Sequence, residues 1–110
     1  MAKPKDQVRE EWRELVNLTP DELEEWLETE QSQSVGDTGG EGESTGHYSG
    51  RRIVAIQRTD EDALSEDDWD WMRKVVGYIK RHLAQGGPDE NVEHSAWRWS
   101  LMNWGHDPCK

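Results

Sequence analysis

Phenylalanine is absent from this chain, and cysteine occurs once, at position 109. Without Phe, the large aromatic volume of any core must come from the seven tryptophans. Each buried indole N–H then needs an acceptor. A lone cysteine excludes an intrachain disulfide and fits a reducing compartment. No apolar run approaches the roughly 20 residues of a membrane span. The start, MAKPKDQVREEW, lacks the apolar centre of a secretory signal. The expectation is a cytoplasmic protein without membrane contact.

Positive charge is also scarce. Thirteen Lys and Arg stand against 24 Asp and Glu, a formal net charge of -11. This argues for solubility, and against nonspecific adhesion of the whole molecule to nucleic acid or membrane. High-salt cytoplasms and ordinary acidic proteins both show such a balance. No phosphate-binding glycine motif and no nucleophile elbow occurs, and the many carboxylates mark no single place. The reading is therefore not an enzyme, with no catalytic residue and no cofactor. Among His47, His82, His94, His106 and Cys109, His106 and Cys109 have close ligand spacing, but no second paired cluster completes a structural zinc site, which wants four N or S ligands in tight pairs. No metal is expected.

What is present points to helices. At 110 residues the chain fits one domain, residues 1–110. Val8, Trp12, Leu15 and Val16 recur at helical spacing over Asp6 to Leu18. Thr19-Pro20-Asp21-Glu22 reads as a helix start, with Thr as N-cap and Pro at the first helical position. Leu23, Trp26 and Leu27 follow. Residues 31–48 are rich in glycine and serine and predict a long flexible loop. Ser49 then caps a short helix holding Ile53, Val54 and Ile56; no second convincing strand exists to pair with that run. Ser65 caps a long helix to Gln85, closed by Gly86-Gly87-Pro88. Val92 to Trp104 forms the last helix, with Trp97, Leu101 and Trp104 on one side. The expected fold is all-α: a compact bundle of about five helices with a glycine-rich loop.

The long helix carries the best hint of a partner. Trp69, Met72, Val76, Ile79 and Leu83 form its apolar stripe on a period of about 3.6 residues. Arg73, Lys74, Lys80 and Arg81 fall on the other side, around Gly77. Arg51, Arg52 and Arg58 extend that charge if the two helices lie side by side. Such a face suits the phosphates of DNA or RNA, a contact that needs no base readout. Tyr48 or Trp99 could then stack on bases. The leading expectation is a small nucleic-acid-binding protein whose two cationic segments form one patch. The alternative is a protein–protein interaction module, using the same basic face against an acidic protein partner or an exposed tryptophan patch. The bland reading of the same residues is a solvated helix face paired with nearby acids. A standard helix-turn-helix across the glycine-rich segment is disfavoured, because its turn has about three or four residues; a version built from the Arg51 helix and the long helix would turn over Thr59 to Leu64.

Four phrases, LVNLTPDELEEWLETEQSQSVG, GHYSGRRIV, MRKVVGYIKRHLAQ and RWSLMNWGHDP, together resemble a small family of uncharacterised domains of bacteria, archaea and fungi. The resemblance spans nearly the whole chain, from about Glu11 to Pro108. Some members of that family carry the label DNA-binding protein. The resemblance implies no catalytic residues. It marks Gly46 to Arg52 and Asn103 to Pro108 as signature segments. There Gly50 and Gly105 would serve as turns, and His106 and Asp107 would anchor the C-terminus.

Overall fold

The computed structural model describes residues 4–35 and 45–110. These residues form six α-helices: α1 (Lys5–Leu15), α2 (Pro20–Leu27), α3 (Glu30–Ser34), α4 (Thr45–Gln57), α5 (Glu66–Gln85) and α6 (Ala96–Asn103). Two 3-10 turns, Glu61–Ala63 and Val92–His94, precede α5 and α6. No strand occurs among the described residues. The protein is an all-α bundle.

Local chemistry sets most of the ends. Thr19 and Ser65 each form a capping box, with Glu22 and Asp68 as the reciprocal partners. Gly86 ends α5 with φ 78°, a conformation that glycine adopts at no steric cost. The first helix stops at Leu15, before the expected Leu18. Val16 leaves the helix at ψ 87°, and Leu18 instead donates its amide to the Gly105 carbonyl. The last expected helix is broken at Ser95, whose hydroxyl caps α6.

Two parts of the expected loop are helical. Gln31 to Ser34 belong to α3, and the final stretch from Thr45 to Tyr48 opens α4. The rest of the expected loop, 36–44, lies outside the described residues. Ser49 is accordingly inside α4 and not its cap; it is fully buried, and its hydroxyl accepts from the Trp71 indole at 3.1 Å. Gly50 is also helical and not a turn. A Cβ there would stand 2.6 Å from Leu27 Cδ2 and 2.8 Å from the Asn103 carbonyl. Gly50 thus marks a close approach of α4 to α2 and α6.

The packing places α1 on α5 and α2 on α4, while α6 touches α2, α3, α4 and α5. Leu23, Ile53, Ile79 and Leu101 are fully buried at the centre. Burial of each contributes about 1.5–3 kcal/mol. Asn103 is the polar junction of this core. Its side-chain oxygen accepts from the Trp26 indole (2.7 Å) and the Ser32 hydroxyl (2.6 Å), and its amide donates to the Ser32 carbonyl. The indole requirement imposed by a tryptophan-rich core is met here by α6.

A candidate cation and aromatic face on α4 and α5

The seven cations expected to act together are divided. On α5, a step of about 100° per residue separates Arg73 and Lys80 from Lys74 and Arg81. Arg73 pairs with Asp70 at 2.7 Å, and Lys80 pairs with Glu11 of α1. Arg58 sits at the end of α4 between Asp21 and Glu24 of α2, 2.9 Å from each. Hydrogen bonds to Glu24 and Asp21 raise the Arg58 pKa above its ordinary value. Each of these three cations faces a carboxylate.

Three of the other four gather around aromatic rings. The Arg52 guanidinium lies 4.9 Å and the Lys74 ammonium 4.7 Å from the Trp71 ring centre. Arg51 lies 5.9 Å from the Tyr48 ring. Tyr48 meets Trp71 edge to face, with centroids 5.6 Å apart. Cations within about 6 Å of an aromatic face are attracted by its quadrupole, by roughly 0.5–1 kcal/mol at exposed sites. Arg81 follows Lys74 two turns along α5, about 10 Å away at about 1.5 Å per residue. Its charge acts on Tyr78, whose hydroxyl pKa is nevertheless raised, chiefly by burial.

Behind these cations the rings form a row. Trp71 stacks with Trp104 (6.4 Å), Trp104 with Tyr78 (4.2 Å), Tyr78 with His82 (5.3 Å) and His82 with Trp97 (6.1 Å). Burial lowers the His82 pKa from its ordinary value. The row ties α5 to α6 and stiffens the face from beneath. Tyr48 is 42% exposed, and among the described residues it is the exposed large hydrophobic side chain. Trp99 is half-buried on α6 and outside the row of stacked rings.

Acidic groups bound the face on one side. Asp68 accepts from Arg52 at 3.2 Å. The Ser65 amide, more than Arg52, holds the Asp68 carboxyl below its ordinary range. Asp67 and Asp70 occupy the exposed side of α5 N-terminal to Lys74. The acidic segment Asp60 to Asp62 turns the other way, toward α1, where Glu61 pairs with Arg9 at 2.9 Å. Among the described residues, no carboxylate pairs with Lys74 or Arg81.

The histidines and the C-terminus serve other ends. His47 Nε2 donates to the Leu27 carbonyl and His106 Nδ1 to the Leu15 carbonyl. Arg98 grips both oxygens of Asp107 at 3.0 Å, and the Asn17 side chain bonds the Asp107 backbone. Gly105 makes the turn into this segment at φ 85°. Among the described residues, no three His, Cys, Asp or Glu side chains group so as to hold a metal ion. No helix among the described residues is long and apolar enough to cross a membrane.

Sequence reasoning missed the role of Trp71. Its three-residue offset from Lys74 was the available signal, since that spacing places two residues on one helix face. The phrases GHYSGRR and MRKVVGYIKRH, which meet on this surface, both lie within a family match. The model of the family described as "Protein of unknown function (DUF3140)" matches residues 11–102. The chain belongs to this family. Neither the curated proteins nor the solved structures give a match.

Proposed function

We propose that this DUF3140 domain is a small non-enzymatic cytoplasmic protein that binds nucleic acid by its phosphates. Arg51, Arg52, Lys74 and Arg81 make the contacts. The observation that carries this reading is the gathering of Arg51, Arg52 and Lys74 beside Tyr48 and Trp71, with Arg81 two turns along α5 and no carboxylate paired with Lys74 or Arg81 among the described residues. Phosphate contacts supply affinity without base readout, which suits a face of charges and rings. The net charge of -11 works against long-range attraction, so binding is local and steeply salt-dependent. An acidic protein segment would meet the same cations. It would also want a contiguous apolar area, whereas Tyr48 stands alone as an exposed large hydrophobic residue among those described.

Fluorescence anisotropy with a labelled oligonucleotide tests the reading. Four phosphate contacts predict a slope of log K against log salt of about -3 on a single strand. The Lys74→Glu, Arg81→Glu double variant should abolish binding at low salt. Undiminished binding by that variant would move the site elsewhere on the molecule.

A further inference from the structure

We infer that the Tyr48–Trp71 face takes single-stranded nucleic acid in preference to duplex, with the Tyr48 ring stacked on an unpaired base. This inference rests on the phosphate-binding reading above and adds the form of the ligand. Three observations lead to it.

The first is the ring itself. Tyr48 is exposed and is supported from one side by the edge-to-face contact with Trp71. Bases in a duplex are covered by their neighbours, and only an unstacked base offers its face to an aromatic side chain. The second is the shape of the cationic surface. Arg52 and Lys74 converge on one indole, and Lys74 and Arg81 lie along one line of α5. That line can follow one phosphate backbone. A duplex presents two, bordering a major groove about 12 Å wide. The third is the boundary. Arg58 and Arg73, which would widen the patch, are paired with Asp21, Glu24 and Asp70. Asp70 and Asp67 lie exposed one and two turns N-terminal to Lys74 on the same side of α5, where they end the cationic line and keep it narrow.

The test uses the full chain and two labelled probes of about 12 nucleotides, a length within the reach of single-strand modules. One is oligodeoxythymidine, which does not self-pair. The other is a duplex of the same length. The wild type should bind the single strand at least about tenfold more tightly at equal salt. Tyr48→Leu keeps an apolar contact with Trp71 but removes the π-face. It should weaken single-strand binding about tenfold and duplex binding by no more than about twofold. Tyr48→Phe should restore the single-strand affinity. Equal binding of both probes, or single-strand binding untouched by Tyr48→Leu, overturns the single-strand inference. If Lys74→Glu, Arg81→Glu still abolishes binding in that case, the phosphate reading stands. No binding of either probe by the wild type at low salt overturns both.

Discussion

A methyl group on Gly50 would stand 2.6 Å from Leu27 Cδ2 and 2.8 Å from the Asn103 carbonyl oxygen. The first contact could yield, because Leu27 Cδ2 ends a flexible side chain. The second is backbone, fixed by α6 and by the hydrogen bonds of Asn103. Alanine in an exposed helix would gain about 1 kcal/mol over glycine. Here overpacking, typically about 1–3 kcal/mol, opposes that gain and should prevail. Gly50→Ala should therefore lower stability, as read from the urea midpoint of tryptophan fluorescence. A raised midpoint would mean that α4 does not approach α6 so closely. Glycine in GHYSGRR reads as loop chemistry because sequence shows its low helix propensity and hides its neighbour. Gly46 differs: a Cβ there would sit 3.4 Å from the Trp104 indole nitrogen, an ordinary contact.

Among the elements, α2 and α5 were the most legible. Their capping residues, acidic first turns and, for α5, the closing glycine all agree with the apolar period. The start of α4 was not legible, because its first turns depend on tertiary contacts with α2 and α6. The C-terminal segment was legible in part. His106 and Asp107 were expected to anchor it, and they do, but Arg98 as the partner could not be read from spacing. Burial alone would raise the Asp107 carboxyl pKa. The Arg98 hydrogen bonds, the Cys109 amide and the Arg98 charge outweigh it and hold the carboxyl below its ordinary value. A depressed carboxylate stabilises the fold above its unfolded pKa, about 3.9, and that contribution is lost as pH falls through the lower folded value. Asp107→Asn should cost about 2 kcal/mol at neutral pH, as for hydrogen bonds to charged groups. The difference from wild type should shrink below about pH 4. A pH series of urea midpoints checks this; a difference that persists unchanged in acid would mean that the loss does not come from the ionised carboxylate.

At the scale of the molecule, the central feature is how a chain of net charge -11 distributes its few cations. Sequence placed seven of them on two neighbouring helices and expected one patch. Folding sorts them. Arg58, Arg73 and Lys80 become structural ion pairs, which at exposed positions contribute about 0–1 kcal/mol. Arg51, Arg52 and Lys74 lie beside Tyr48 and Trp71, with Arg52 also paired to Asp68, and Arg81 follows two turns along α5. This division follows from which carboxylates α1 and α2 bring nearby, and that information is absent from the periodicity of α5 alone. The most direct measurement compares two neutralised double variants by salt-dependent anisotropy on the same single strand. Lys74→Gln, Arg81→Gln removes two phosphate contacts and should reduce the slope from about -3 to about -1.5. Arg58→Gln, Arg73→Gln removes two cations already committed to carboxylates and should leave the slope unchanged. Equal losses in the two variants would contradict the account, because binding would then follow total charge and not the α4–α5 face.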